Sequence, residues 1–127
     1  MIQNPTLSSE APHRSVLIVD DEDDLLATWS ILLELEGFSV IAAHSASEGL
    51  EAAIAHHPSV VITDYRMPGV DGLEFCRRLK ADSMTRTIPV IMWTGTPMQL
   101  KHELFERIAV KPVALATMLA LIGELVS

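Results

Sequence analysis

VVITDYRMPGVDG, residues 60–72, passes from an unbroken aliphatic run through Thr63 to the carboxylate of Asp64 and then to a turn. A short apolar run without polar alternation fits a strand covered on both faces, as in a parallel sheet. Asp64 closes that run. In the Met67-Pro68-Gly69 stretch that follows, proline sets a rigid turn and glycine can supply positive φ. Asp71-Gly72 then opens a helical pattern through Leu73, Phe75, Cys76 and Leu79. The unit is a buried strand, an acidic loop and an amphipathic helix.

The same unit recurs on both sides. Apolar runs stand at residues 16–19, 40–43, 90–93 and 108–110. Between them, Leu25, Leu26, Trp29, Leu32, Leu33 and Leu35 fall at helical spacing, and Gly37 stops that helix. Ser45 with Glu48 makes a capping-box start for the next helix, which ends at Pro58. A short fourth helix is expected over about residues 97–105, with Pro97 in its first turn, and a last one over about residues 113–126. Strand and helix therefore alternate five times, which predicts an α/β fold: an open, doubly wound parallel sheet of five strands with right-handed crossovers. Residues 1–14 lack apolar periodicity and read as a flexible leader, so the folded domain is expected over 15–127.

Composition narrows the function. The chain has 127 residues, nine basic and seventeen acidic, for a formal charge of −8. That length suits one domain, and 49% hydrophobic with 20% charged residues is a foldable composition. The acidic balance argues against nucleic acid and anionic membrane surfaces as partners. A single cysteine, Cys76, cannot form an internal disulfide and reads as a packing residue. No apolar run reaches the length of a membrane span, and the N-terminus has no signal-peptide core, so a cytoplasmic location is expected.

In open parallel sheets, ligands bind beyond the carboxyl ends of the strands. The runs end there in Asp20-Asp21, Asp64, Thr94 and Lys111, while the run ending near His44 adds nothing evidently reactive. Like charges at about 4 Å repel by about 4 kcal/mol at the effective dielectric of a protein surface. Three clustered carboxylates thus call for protonation or a cation, and Mg²⁺ with oxygen ligands suits a site shared with phosphate. A metal, a lysine and a hydroxyl together would cradle a phosphoryl group. Helix capping accounts for one or two of the acids at 20–24, but not for Asp64 or Lys111.

Val19-Asp20-Asp21, Thr63 through Gly69, Asp71-Gly72, Thr94-Gly95 and Lys111-Pro112 resemble, in order, the motifs of the receiver domains of two-component response regulators. The likeness covers about residues 15–126 and is nearest in type to the stand-alone, chemotaxis-regulator kind. It implies a flavodoxin-like (βα)5 sheet in strand order 2-1-3-4-5. It further implies that Asp64 accepts the phosphoryl group, that Thr94 and Lys111 bind phosphoryl oxygens, and that the Lys111-Pro112 peptide is cis. Asp21, Asp64 and the backbone carbonyl of Arg66 would hold Mg²⁺, with Asp20 helping through water. The implied partners are a sensor histidine kinase or a histidine phosphotransfer protein, a downstream protein, and a second copy docking on the face of helix four, strand five and helix five.

The chain departs from the pattern at two places. The family usually carries Tyr, Phe or His three positions before the lysine, and this chain has Ile108, which cannot report phosphorylation as a ring does. The interval from Thr94 to Lys111 is also short, so a truncated fourth helix and an altered output face are expected. The Arg66 side chain is expected either to occupy space needed by attacking water or to be solvated, with only its backbone in use. Ala114, Ala120 and Leu121 are expected on or near the outer face of the last helix, and Trp93 in the core.

Four other readings compete, one of them a receiver that folds but is regulated without phosphorylation. A receiver cut from a longer regulator or hybrid kinase would carry the same residues. A Mg²⁺-dependent aspartyl phosphatase would need a second Asp where the chain has Glu22, and would leave Asp64 without a role. A flavin-binding module would carry its phosphate loop after the first strand, where Asp20-Asp21 stands.

Overall fold

The computed structural model describes residues 14–95 and 104–126. Five strands, β1 (Ser15–Val19), β2 (Ser39–Ala43), β3 (Val60–Asp64), β4 (Val90–Thr94) and β5 (Arg107–Val110), form one sheet. Four helices are described: α1 (Asp23–Leu35), α2 (Ala46–His56), α3 (Gly72–Ala81) and α4 (Leu115–Leu125). All neighbouring strands pair in parallel, in the order β2-β1-β3-β4-β5. The doubly wound sheet and its 2-1-3-4-5 order are therefore as expected. Most of the short helix expected over residues 97–105, and with it much of the expected docking face, lies outside the described residues.

The unbroken apolar runs arise because both faces of the sheet are covered. Alternate residues of β1 serve opposite cores: Leu17 and Val19 join Phe75, Cys76 and Leu79 of α3, whereas Val16 and Ile18 join Leu26, Trp29 and Leu33 of α1. Met118 and Ile122 of α4, both buried, complete the second core. Leu121 is half-buried against that same core, a correction to its expected place on the outer face. Leu121 stands three residues after the buried Met118 and next to Ile122, so it flanks the buried stripe of α4.

Local signals set the helix ends. The Ser45 hydroxyl accepts from the Glu48 N–H at 3.2 Å, and Glu48 Oε1 returns to the His44 N–H at 2.8 Å. Asp71 caps α3 by accepting from the Glu74 N–H at 2.9 Å. After α1, Gly37 takes φ +98°, a conformation in which a side chain would be strained.

Candidate functional site

The carboxyl ends of β1, β3, β4 and β5 bring Asp20, Asp64, Thr94 and Lys111 to one edge. Asp20, Asp64 and Thr94 are all buried, and Asp21 is exposed. The sheet order explains the convergence: β1 and β3 are hydrogen-bonded neighbours, so chain ends far apart in sequence finish side by side. One carboxylate oxygen from each of Asp20, Asp21 and Asp64 can be chosen so that all lie within 4.8 Å of one another.

Lys111 reaches this cluster from β5. Its Nζ donates to Asp20 Oδ2 at 2.9 Å and lies 3.5 Å from Asp64 Oδ1. Its backbone N–H donates to the Thr94 carbonyl at 2.7 Å, which ties the lysine to the end of β4. The Lys111–Pro112 peptide is cis. Asp20 uses its other oxygen, Oδ1, to accept from the Glu22 N–H at 2.9 Å. The first acid of the pair is thus engaged on both oxygens, while its exposed neighbour Asp21 faces solvent.

Asp64 is electrostatically uncomfortable. Burial, and next the Asp20 charge, push its carboxyl above the usual carboxylate range; Lys111 and the Tyr65 backbone pull it back only in part. A cation held by oxygen ligands would relieve that, and three converging carboxylate oxygens are the donor set that Mg²⁺ takes. The residues present fit such an ion.

The loop after Asp64 is shaped by two glycines in different ways. Gly69 takes φ +80°, the turn expected of it. Gly72 is needed for space: its N–H donates to the Tyr65 carbonyl at 2.7 Å, and a Cβ there would collide with the backbone of Asp64 and Tyr65. Helix α3 therefore begins pressed against the strand that carries Asp64. Arg66 is exposed with its guanidinium 5.9 Å from the centre of the Tyr65 ring. Tyr65, Arg66, Met67, Pro68 and Asp71 line an open cleft over this loop.

Ile108 is half-buried against the core shared by α2 and α3. Cys76 is buried there, and burial pushes its thiol up to about 12, which fits packing and not nucleophilic chemistry. Two features were not read from the sequence. His44 Nδ1 lies 2.7 Å from Asp23 Oδ1, joining the end of β2 to the first turn of α1. The Lys111 ammonium lies 4.8 Å from the centre of the Trp93 ring, whose place in an apolar run marked it only as core.

Comparison with known proteins gives a consistent picture. The family model described as "Response regulator receiver domain" matches residues 16–122. The polar-differentiation response regulator DivK of Brucella ovis is 37% identical over 90 residues, covering 71% of this chain and 73% of DivK. The phosphate regulon transcriptional regulatory protein PhoB of Pseudomonas aeruginosa is 33% identical over 82 residues, which is 65% of this chain but only 36% of PhoB. The chain thus spans about a third of the length of that regulator. Among solved structures, the chemotaxis protein CheY4 of Vibrio cholerae superposes with a TM-score of 0.84 at 26% identity, covering 90% of this chain and 99% of CheY4.

Proposed function

The chain belongs to the response regulator receiver domains of two-component systems, and from that premise we propose that Asp64 is its phosphoacceptor. The observation that carries the reading is the lysine-bridged acid cluster: Asp64 ends a central strand with Asp20 and Asp21 within 4.8 Å, and Lys111 spans Asp20 and Asp64.

In the reaction, an ionised oxygen of Asp64 attacks phosphorus. The phosphorus–nitrogen bond of a phosphohistidine donor breaks, its electron pair stays on the imidazole, and an acyl phosphate forms on Asp64. Lys111 pairs with one phosphoryl oxygen, and the Thr94 hydroxyl donates to another. Asp20, Asp21, Asp64 and the Arg66 backbone carbonyl would hold Mg²⁺, which when bound offsets charge between carboxylate and phosphoryl oxygens. The domain is not an enzyme acting on a separate substrate; it promotes its own phosphorylation and dephosphorylation.

The donor is a sensor histidine kinase or a histidine phosphotransfer protein, both placing this chain in the cytoplasm. No helix among the described residues is long and apolar enough to cross a membrane. Output runs through binding of a downstream protein, with a homodimer on the face of the expected fourth helix, β5 and α4 as a further form. The limited coverage of PhoB favours a second reading in which the same receiver belongs to a longer regulator. The site chemistry is common to both.

Incubation with a small phosphodonor and Mg²⁺, followed by intact-mass measurement, tests the reading. Wild type should gain one phosphoryl group, and Asp64→Asn and metal-depleted wild type should not. A gain equal in wild type and Asp64→Asn would remove Asp64 from its role.

A further inference from the structure

Trp93 is the next-to-last residue of β4 and is 1% exposed. Its ring meets Trp29 of α1 edge-on, with centroids 5.3 Å apart and planes at 75°. Its Nε1–H has no hydrogen-bond partner among the described residues, although a buried indole N–H ordinarily finds one. Stranding a buried donor costs stability, and a leucine or phenylalanine would fill a core strand position without doing so. Core packing alone therefore gives a poor reason for an indole here.

The ring has another neighbour. Lys111 Nζ lies over it, 4.8 Å from the centroid, within the range where an ammonium is attracted to an aromatic face. The same nitrogen is held by Asp20 at 2.9 Å and approaches Asp64 at 3.5 Å. The Lys111 side chain is 18% exposed, so little water screens these contacts.

We propose that Trp93 is a positioning residue, whose indole face seats the Lys111 ammonium between Asp20 and Asp64 so that it meets an oxygen of the phosphoryl group. The inference rests on the reading of Asp64 as phosphoacceptor. A lysine has a flexible four-carbon stem and three N–H donors. A further carboxylate in place of the ring would add repulsion toward the arriving phosphoryl group. A neutral acceptor would occupy an N–H that the phosphoryl oxygen needs. An aromatic face attracts the cation while doing neither, so one donor stays available and the stem is held. Trp offers the strongest such face, which accounts for an indole in a strand where its N–H goes unpaired.

Fluorination of the indole tests this, because each fluorine drains the ring's negative face with little change of shape. In a Trp29→Phe background, the remaining tryptophan is replaced biosynthetically by analogues of increasing fluorine content. With a small phosphodonor and saturating Mg²⁺, the phosphorylation rate should fall stepwise, to about a tenth for the fully substituted benzenoid ring. The thermal midpoint should stay level across the series. A rate independent of fluorination in folded proteins would overturn the proposal.

A second measurement needs no substituted protein. In wild type, the ε-methylene protons of Lys111 should be shifted upfield by the Trp93 ring current, and the shift should vanish in Trp93→Leu. Random-coil values in wild type would overturn the seat independently. Failure of wild type to take up a phosphoryl group would instead overturn the reading of Asp64, leaving the ring-current result to decide the seat.

Discussion

Replacing Asp64 with asparagine should make the metal-free protein more stable at neutral pH. Asparagine keeps the shape and removes the charge. At the 4.8 Å limit of the cluster, each carboxylate pair repels by about 3.5 kcal/mol at an effective dielectric of 20. Asp21 is exposed, so solvent screens its share. The substitution also removes the attraction of Lys111 at 3.5 Å, about 4.7 kcal/mol on the same scale. Those opposing Coulomb contributions nearly cancel. Desolvation of the buried carboxylate, the largest cause of its raised pKa, then decides the sign. The expected gain is about 1–2 kcal/mol, or several degrees in thermal midpoint.

The pH dependence follows from the same shift. The native state holds the Asp64 proton more tightly than the unfolded chain, because its folded pKa is raised. The penalty in wild type is therefore absent below the unfolded pKa and grows as pH rises through the folded one. The advantage of Asp64→Asn should grow as pH rises through the raised folded pKa and shrink on acidification. Thermal unfolding by circular dichroism, in chelator and then in millimolar Mg²⁺, is the assay. Added Mg²⁺ should raise the wild-type midpoint and leave the variant nearly unmoved. A variant less stable than wild type in chelator at pH 7 would refute the electrostatic reasoning.

Other outcomes can be stated briefly. Gly72→Ala should destabilise by about 2–4 kcal/mol, because its Cβ meets the backbone of Asp64 and Tyr65, which cannot swing away; denaturant unfolding measures it. Gly123→Ala should do the reverse by about 0.5–1 kcal/mol, since it lies inside α4 with nothing within 4 Å of the new methyl. Ser45→Ala should cost about 1 kcal/mol through loss of the cap on α2, seen in the same experiment. Cys76, buried with its thiol raised to about 12, should react with a thiol reagent at pH 8 at least about a thousandfold more slowly in native protein than in denaturant.

The parts of this molecule that were legible in its sequence are those set locally or by a general property of parallel sheets. Aliphatic runs report strands covered on both sides, and the capping role of Ser45 is written within three residues of it. Parallel strands also share a carboxyl edge, so Asp20, Asp64, Thr94 and Lys111 could be gathered without knowing any distance. What stayed hidden depends on register and approach. Asp20 and Asp21 are chain neighbours, yet one is buried under Lys111 and the other exposed, because side chains alternate at a strand end. Gly72 reads as a turn residue, but its need is the closeness of α3 to β3. Trp93 looks like any core residue until β4 is set beside β5. Their pairing puts Trp93 opposite Ala109, two residues before Lys111. His44 likewise meets Asp23 only because β2 lies next to β1.

The most direct test of the central claim is chemical trapping of the acyl phosphate. Protein treated with a small phosphodonor and Mg²⁺ is reduced with borohydride, which converts an aspartyl phosphate to homoserine, and is then digested and sequenced by mass spectrometry. The account predicts homoserine at position 64 in wild type, dependent on the phosphodonor. Homoserine at position 20 or 21, or at none, would contradict it.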